Sequence, residues 1–121
     1  SNMYKTICFD IDNVICKTNS SHNYNKSKPI KSAISIINKL YDDGYVIKIY
    51  TARYMGRTNE NDSLVKKKYL TKTKSQLKKW KVKYHKLYMG KPDFDIFIDD
   101  KSLGFCKKNW IKELKLKLKM I

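Results

Sequence analysis

Short apolar runs and longer amphipathic segments alternate along the first half of the chain. Residues 5–9 and 46–50 are rich in strand formers, which predicts two buried strands. Between them, apolar residues fall at helical spacing and predict a helix that packs one face on a sheet: Ala33, Ile36, Ile37 and Leu40. A strand, a helix and a strand within this length form a βαβ unit, so we expect the two strands to be parallel.

Punctuating residues mark the ends of the predicted helix. Pro29 fits its first turn, with Ser27 as the cap, and Gly44 supplies a left-handed residue at its end. Residues 16–28 are polar and are expected to form a loop beside the end of the first strand, as a flap over that edge. Within this loop, His22 is expected on the solvated surface.

The second half of the chain continues the alternation less regularly. Residues 63–83 are rich in Lys with scattered apolar positions, which predicts one helix or two, broken near residues 71–73. Residues 84–89 and 96–98 predict a third and a fourth strand. Residues 110–121 fit both a strand and a helix, and the helical spacing is favoured.

Length and composition favour a single domain whose core is large enough to fold without stabilising cross-links. We expect residues 3–121 to form it, with Ser1-Asn2 before Met3 as a cloning remnant. The three cysteines are scattered and odd in number, which favours free thiols in a reducing cytoplasm. Neither a membrane-length apolar stretch nor a signal-peptide pattern is present, so we expect a cytoplasmic protein with no membrane partner.

The chain is strongly basic, with a net charge of +16 from 27 basic and 11 acidic residues. All but two of the basic residues, Arg53 and Arg57, are Lys. A nucleic-acid reader is expected to use more Arg, whose planar fork grips phosphates and guanine, so nucleic acid is disfavoured as a partner. The abundance of Lys, Asn, Ile and Tyr, which share AT-rich codons, is better explained by genome composition than by the steering of anionic substrates.

Polar residues follow each of the four predicted strands. In chain order they are Asp10 and Asp12, Thr51, Lys91, and Asp99 with Asp100. Since parallel strands end at one edge of a sheet, we expect these side chains to meet there. Acidic residues at strand ends also occur for structural reasons alone, in turns or as helix caps. However, clustered carboxylates repel one another without a cation, so the joint arrangement favours a site for a hard, oxygen-preferring cation.

These residues resemble the four motifs of the haloacid dehalogenase (HAD)-like phosphatase superfamily. The segments are Asp10-Ile11-Asp12-Asn13-Val14, the strand ending in Thr51, the lone Lys91, and Ile96-Phe97-Ile98-Asp99-Asp100. The resemblance implies an α/β, Rossmann-like three-layer fold with a mostly parallel central sheet. Residues 16–28 and 54–62 are the only candidates for a cap, and both are short, so we expect no cap domain. A homo-oligomer that covers the site is compatible with this reading.

The resemblance also assigns roles. Asp10 would be the nucleophile that forms an aspartyl phosphate, and Asp12 the general acid and base. Thr51 would donate its hydroxyl and backbone N–H to the phosphoryl group, and Lys91 would neutralise charge. Ala52 and Arg53 join Thr51 and Lys91 as substrate-binding residues, with a structural ion pair as the alternative for Arg53.

The implied cofactor is Mg²⁺, which would offset the repulsion between a carboxylate and a phosphate dianion. Its ligands would be Asp10, the backbone carbonyl of Asp12, and Asp99, with Asp100 binding through water or supporting a ligand. Which of Asp99 and Asp100 binds the metal directly is left open.

The expected activity is therefore Mg²⁺-dependent hydrolysis of a phosphomonoester on a small phosphorylated metabolite. The segments Ile-Tyr-Thr-Ala-Arg and Gly-Lys-Pro resemble bacterial phosphatases of capsule or lipopolysaccharide biosynthesis, which implies a sugar or surface-polysaccharide precursor as the substrate. Two alternatives stay open. One is a phosphatase of nucleic-acid or protein phosphate ends, and the other is a binding module without activity.

Overall fold

The computed structural model describes residues 5–53, 63–89, 96–99 and 109–120. The elements in chain order are β1 (Thr6–Asp10), β2 (Cys16–Lys17), a 3-10 helix (Tyr24–Lys26), β3 (Lys28–Pro29), α1 (Lys31–Asp42), β4 (Val46–Tyr50), α2 (Ser63–Lys79), β5 (Lys86–Tyr88), β6 (Ile96–Ile98) and α3 (Trp110–Lys117).

A parallel sheet of four strands carries the fold, in the order β5-β4-β1-β6. Each of these strands was predicted from the sequence, and the βαβ unit with parallel strands is confirmed. Strand β1 runs to Asp10, one residue further than predicted, and β5 is limited to three residues. The chain is thus an α/β protein with a parallel sheet in its described part.

The core lies on one face of this sheet. Side chains alternate along a strand, so Ile7 and Phe9 of β1 share a face with Ile47 and Ile49 of β4, and all four are fully buried. The same apolar cluster contains buried residues of all three helices: Ala33, Ile34, Ile36, Ile37, Leu40, Leu77, Trp110 and Leu114. The described helices therefore pack on one face, and the second helical layer of a three-layer fold stays a prediction.

The start of α1 differs from the prediction. Pro29 does not lie in the first helical turn but in β3, opposite Cys16 in a short antiparallel pair. The helix is preceded by Ile30, whose backbone N–H donates to the Ile15 carbonyl at 2.8 Å, and it has no side-chain cap. The Ser27 hydroxyl is hydrogen-bonded to Thr18 Oγ1 at 2.8 Å, so this residue serves the hairpin instead of the helix.

The end of α1 follows the prediction. Gly44 has φ +97°, a region that L side chains rarely adopt, and it reverses the chain towards β4. Its N–H donates to the Tyr41 carbonyl at 3.1 Å, which satisfies an acceptor of the last turn.

Helix α2 is one continuous helix, so the single helix is confirmed of the two alternatives, and no break occurs near residues 71–73. The Thr71 and Thr73 hydroxyls donate to the carbonyls of Lys67 and Tyr69, one turn earlier, each at 2.9 Å. This local bonding accommodates two β-branched residues of low helix propensity within the helix.

The carboxyl-terminal segment forms the helix that its spacing favoured. Trp110 and Leu114 of α3 are buried, as is Leu118 just beyond it, and the Trp110 ring lies 6.1 Å from that of Phe9 in β1. Of the described helices, none combines the length and the apolar character needed to cross a membrane.

Cys8 lies on the sheet face opposite the core. It is fully buried beside Lys48 of β4, and this burial raises the pKa of its thiol to about 12. The Lys48 ammonium opposes part of this rise in the pKa, and the Asp10 carboxylate adds to it. Cys8 and Cys16 are both free thiols, as predicted, and Cys106 lies outside the described residues.

Substitution of Gly44 tests the left-handed stop. We expect Gly44→Ala to lower the free energy of unfolding by about 1–2 kcal/mol, because only the backbone conformation opposes the added Cβ, which meets nothing within 4 Å. Gly44→Asn is the control and should lose less, since Asn tolerates positive φ. Urea unfolding measures both, and equal losses would contradict a conformational cause.

The raised pKa of Cys8 predicts slow alkylation in the native protein. At pH 8 about one thiol in 10,000 is ionised at this pKa, against about one in ten at the ordinary value of 9.0. We therefore expect iodoacetamide to label Cys8 at least about 100-fold faster in urea than under native conditions at pH 8. Peptide mass spectrometry follows each cysteine separately, and equal rates would show that Cys8 is accessible and ionisable.

Candidate active site

The strand register brings three of the predicted site residues to one edge of the sheet. Phe9 of β1 pairs with Ile98 of β6, so Asp10 and Asp99 are the next residues on neighbouring strands, which lie about 4.8 Å apart. On the other side Asp10 pairs with Tyr50, and Thr51 follows directly. The structure thus gathers residues that lie up to 89 positions apart in the sequence.

A tight loop follows β1 and carries Asp12. The Ile11 carbonyl accepts the backbone N–H groups of Val14, Ile15 and Cys16 at 2.8–3.3 Å, which closes the loop on itself. Asn13 has φ 64°, a conformation that Asn adopts more readily than most residues, and its N–H donates to the Cys16 carbonyl at 2.7 Å. The loop therefore fixes the direction in which the Asp12 side chain leaves the backbone.

The segment predicted as a polar loop is partly ordered as a hairpin. Strands β2 and β3 pair antiparallel, with Cys16 opposite Pro29 and Lys17 opposite Lys28. His22 lies in the connection between them, exposed as predicted, with φ 54°. The flap is thus a β-hairpin anchored beside Asp12, because Cys16 also bridges to Asp12.

Asp12 forms a forked ion pair with Arg53. Arg53 Nη2 lies 2.8 Å from Asp12 Oδ1, and Nε lies 3.1 Å from Oδ1 and 3.0 Å from Oδ2. The Arg53 side chain is 1% exposed and that of Asp12 is 22% exposed. Thr18 Oγ1 also donates a short hydrogen bond to Asp12 Oδ1. Oδ2 accepts from Nε alone within the described residues, so it accepts fewer hydrogen bonds than Oδ1.

Arg53 also contacts α2 and the hairpin. Its Nη1 donates to Gln76 Oε1, and its guanidinium lies 4.7 Å from the centre of the Tyr24 ring. Gln76 Nε2 in turn donates to the Tyr24 carbonyl at 2.8 Å. One buried guanidinium thus connects the end of β4, helix α2 and the hairpin to Asp12.

These contacts place Arg53 in a structural ion pair, the alternative that its sequence position left open. A contact of Arg53 with substrate stays a prediction. The supporting partners Thr18, Tyr24 and Gln76 were not predicted. Gln76 is 64 positions from Asp12, and no motif or spacing connects them.

The placement of Thr51 corrects one of its expected roles. Its backbone N–H donates to the Tyr88 carbonyl at 2.9 Å, which extends the β4–β5 pairing, so this N–H is not available to a phosphoryl oxygen. The buried Thr51 hydroxyl oxygen accepts the Arg53 N–H at 2.9 Å and keeps its own proton as a donor. Ala52, between them, is exposed at this edge.

The structure describes two of the four remaining predicted site residues. Asp10 Oδ1 accepts the Ile11 N–H at 2.8 Å, and Asp99 is half-buried. Lys91 and Asp100 lie outside the described residues, so their predicted roles stay predictions. Residues 5–53, 63–89, 96–99 and 109–120 contain no group of three or more His, Cys, Asp or Glu residues arranged to hold a metal.

Cys16 lies against the ion pair. Its Sγ is 3.7 Å from Asp12 Oδ1 and 3.5 Å from Arg53 Nη2. Burial raises the pKa of this thiol above its ordinary value, and the Asp12 carboxylate adds to the rise, while Thr18, Arg53 and Ser27 oppose it. The buried Cys16 side chain thus packs against the Asp12–Arg53 ion pair, and its raised pKa disfavours the thiolate that a nucleophile requires.

Comparison with known proteins gives little support for a family. No family model matches the chain, and no curated protein matches it. A chain in the solved structure of a Pnkp1/Rnl/Hen1 complex aligns over 97% of this chain and 38% of its own length, with 20% identity and a TM-score of 0.49. This chain thus spans well under half of that protein. A likeness of this degree assigns no activity to the present chain.

Removal of Arg53 tests the ion pair. We expect Arg53→Met to lower the free energy of unfolding by about 2–3 kcal/mol, because it leaves the Asp12 charge without its partner in a largely buried place. Lys83→Met is the matched control. It breaks the Lys83–Asp42 pair, whose side chains are 49% and 58% exposed, and should cost less than about 1 kcal/mol.

A double variant separates charge from packing in this experiment. If the uncompensated Asp12 charge causes the loss, Asp12→Asn combined with Arg53→Met should be more stable than Arg53→Met alone by at least about 1 kcal/mol. Urea unfolding of the four proteins completes the cycle. Additive losses would mean that Arg53 stabilises the fold through packing and not through Asp12.

Proposed function

We propose that the chain is a phosphomonoesterase of the HAD type, with Asp10 as the nucleophile and Asp12 as the general acid and base. The observation that carries the proposal is the register of the sheet. It sets Asp10, Thr51 and Asp99 side by side at the carboxyl edge, where ligands bind in open α/β sheets. Three of the four motifs that resemble the family end on this edge in the described part.

In the first step a carboxylate oxygen of Asp10 attacks phosphorus, and the bond from phosphorus to the ester oxygen breaks. Asp12 gives its proton to the departing alcohol oxygen. In the second step water attacks the phosphorus of the aspartyl phosphate and Asp12 takes the proton of that water. The bond between phosphorus and the Asp10 oxygen breaks, which restores the Asp10 carboxylate and releases inorganic phosphate. The covalent route divides one of the slowest known uncatalysed reactions into two easier ones.

Asp12 is held in place for both proton transfers. Arg53 and Thr18 occupy Oδ1, while Oδ2 accepts one hydrogen bond. We assign Arg53 to the positioning of Asp12 and not to the substrate. The Thr51 hydroxyl is the described donor for a phosphoryl oxygen, and removal of such a preorganised donor typically costs about 10²–10³ in rate. Lys91 keeps its proposed role in neutralising charge.

The donor chemistry at the edge fits Mg²⁺, which prefers carboxylate and carbonyl oxygens and keeps several waters. Asp10, Asp99 and the backbone carbonyl of Asp12 would hold it, with Asp100 in support. When bound, Mg²⁺ would supply positive charge that offsets the repulsion between the Asp10 carboxylate and the phosphate dianion.

The proposed substrate is a small phosphorylated metabolite, such as a sugar phosphate of surface-polysaccharide synthesis. The hairpin formed by β2 and β3 is short, so it borders the site without forming a cap domain. The net charge of +16 favours the approach of an anionic substrate.

Asp10→Asn tests the proposed nucleophile. We expect wild-type protein to release phosphate from 4-nitrophenyl phosphate with Mg²⁺, and Asp10→Asn to lose at least about 1,000-fold in kcat, since an amide cannot form the acyl phosphate. Asp42→Asn, on the exposed end of α1, is the matched control and should keep wild-type turnover.

Two results would refute parts of the proposal separately. Full turnover by Asp10→Asn would exclude Asp10 as the nucleophile, and undiminished release in excess EDTA would exclude the metal. An activity confined to 5′-phosphorylated oligonucleotides, with affinity that falls steeply as salt is added, would favour the nucleic-acid alternative.

A further inference from the structure

A cavity of about 540 Å³ opens beside Asp12, between the amino-terminal ends of α1 and α3. Asn13, Lys17 and Thr18 line it from the loop after β1 and from the hairpin. Ile30 and Ser32 line it from the start of α1, and Trp110 and Ile111 from the start of α3. This volume is in the usual range for small-molecule pockets.

The topology of the sheet marks the carboxyl edge to which the loop lining this cavity belongs. From β1 the chain crosses to β4 and then to β5 on one side, and it next returns to β6 on the other side of β1. The order of the strands therefore reverses between β1 and β6. Ligands of open α/β sheets bind in the crevice at such a switch point, outside the carboxyl ends of the strands.

The cavity adjoins the group that would protonate the leaving oxygen. Asn13 follows Asp12 directly, and the Thr18 hydroxyl donates to Asp12 Oδ1. If the ester oxygen of a substrate contacts Asp12, the alcohol portion attached to it would extend past Asn13 and Thr18. The cavity is thus placed to receive the part of the substrate that departs.

The residues that line the cavity indicate which kind of alcohol it would bind. Ile30, Trp110 and Ile111 form an apolar wall suited to the face of a ring, and Asn13 and Ser32 carry groups of the kind that bond hydroxyls. Lys17 supplies a positive charge, and in the part of the chain that the structure describes no carboxylate pairs with it. The amino-terminal ends of α1 and α3 border the cavity and their dipoles add positive potential there, which Glu113 in the first turn of α3 partly offsets.

From these features we infer that the cavity binds the alcohol portion of the substrate, and that this portion is a hydroxylated ring with a second anionic group. The inference rests on the proposed phosphatase function and narrows its substrate class. Lys17 is its specificity residue, since it would bind the second anion, while the ester phosphate lies at Asp10.

Matched sugar phosphates test the second anion. We expect the wild-type protein to hydrolyse glucose 1,6-bisphosphate with a KM at least about tenfold below that for glucose 6-phosphate. Lys17→Gln should remove this difference by raising the KM for the bisphosphate. Lys28→Gln, the same charge change on the neighbouring strand outside the cavity, should retain the difference.

A second pair of variants tests the cavity itself. Ser32→Phe places a ring at its wall and should raise the KM for both sugars about tenfold, while Ser35→Phe, one turn further along α1 and exposed, should leave both unchanged. Wild-type KM values that are equal for the two sugars would overturn the second anion. Unchanged KM values in Ser32→Phe would overturn the cavity as the binding site.

Failure of the proposed function would be recognised separately. If no phosphate ester is hydrolysed, the phosphatase is excluded, and the cavity can then be titrated directly by calorimetry. Binding of glucose 1,6-bisphosphate that weakens about tenfold in Lys17→Gln but not in Lys28→Gln would support the cavity as an anion-binding site. The absence of binding to wild-type protein would overturn it.

Discussion

One buried guanidinium connects three separate elements of this small fold. Arg53 lies just beyond the end of β4, yet its side chain reaches the loop after β1, helix α2 and the hairpin. Desolvation of an arginine is expensive unless its donors are used and its charge is paired. Every buried polar side-chain atom of the described residues has a hydrogen-bond partner, so this requirement is met.

The ion pair also determines what Asp12 can do. A carboxylate in a flexible loop would sample many directions, whereas one gripped by a planar fork keeps a single orientation. Oδ1 of Asp12 accepts hydrogen bonds from Nη2 and Nε of Arg53, whereas Oδ2 accepts from Nε alone. The two oxygens of one side chain are therefore chemically unequal. The same contacts thus set the orientation of Asp12 and make its two oxygens unequal. A Lys in place of Arg53 could not form this forked contact.

The sheet was predictable because its signals are local. Apolar runs such as 46–50 and a glycine such as Gly44 report the structure of their own neighbourhood, and the chirality of βαβ units fixes how such pieces assemble. The edge that gathers Asp10, Thr51 and Asp99 follows from the same reasoning. By contrast, Pro29 in isolation fits a helix start well, and only its pairing with Cys16 across the hairpin places it in a strand.

The support behind the site could not be predicted, because it depends on pairs far apart in the sequence. Arg53 turns to Asp12 in contact with Gln76 and the Tyr24 ring, and no spacing in the sequence relates these two residues to it. The hydrogen bond from Thr51 to Tyr88 likewise depends on a strand that forms only when the sheet assembles. A motif therefore indicates which groups meet at an edge, while tertiary packing decides which of their donors stay available for chemistry. In this chain that distinction leaves the Thr51 hydroxyl as a donor and removes its N–H, although both belong to the same residue.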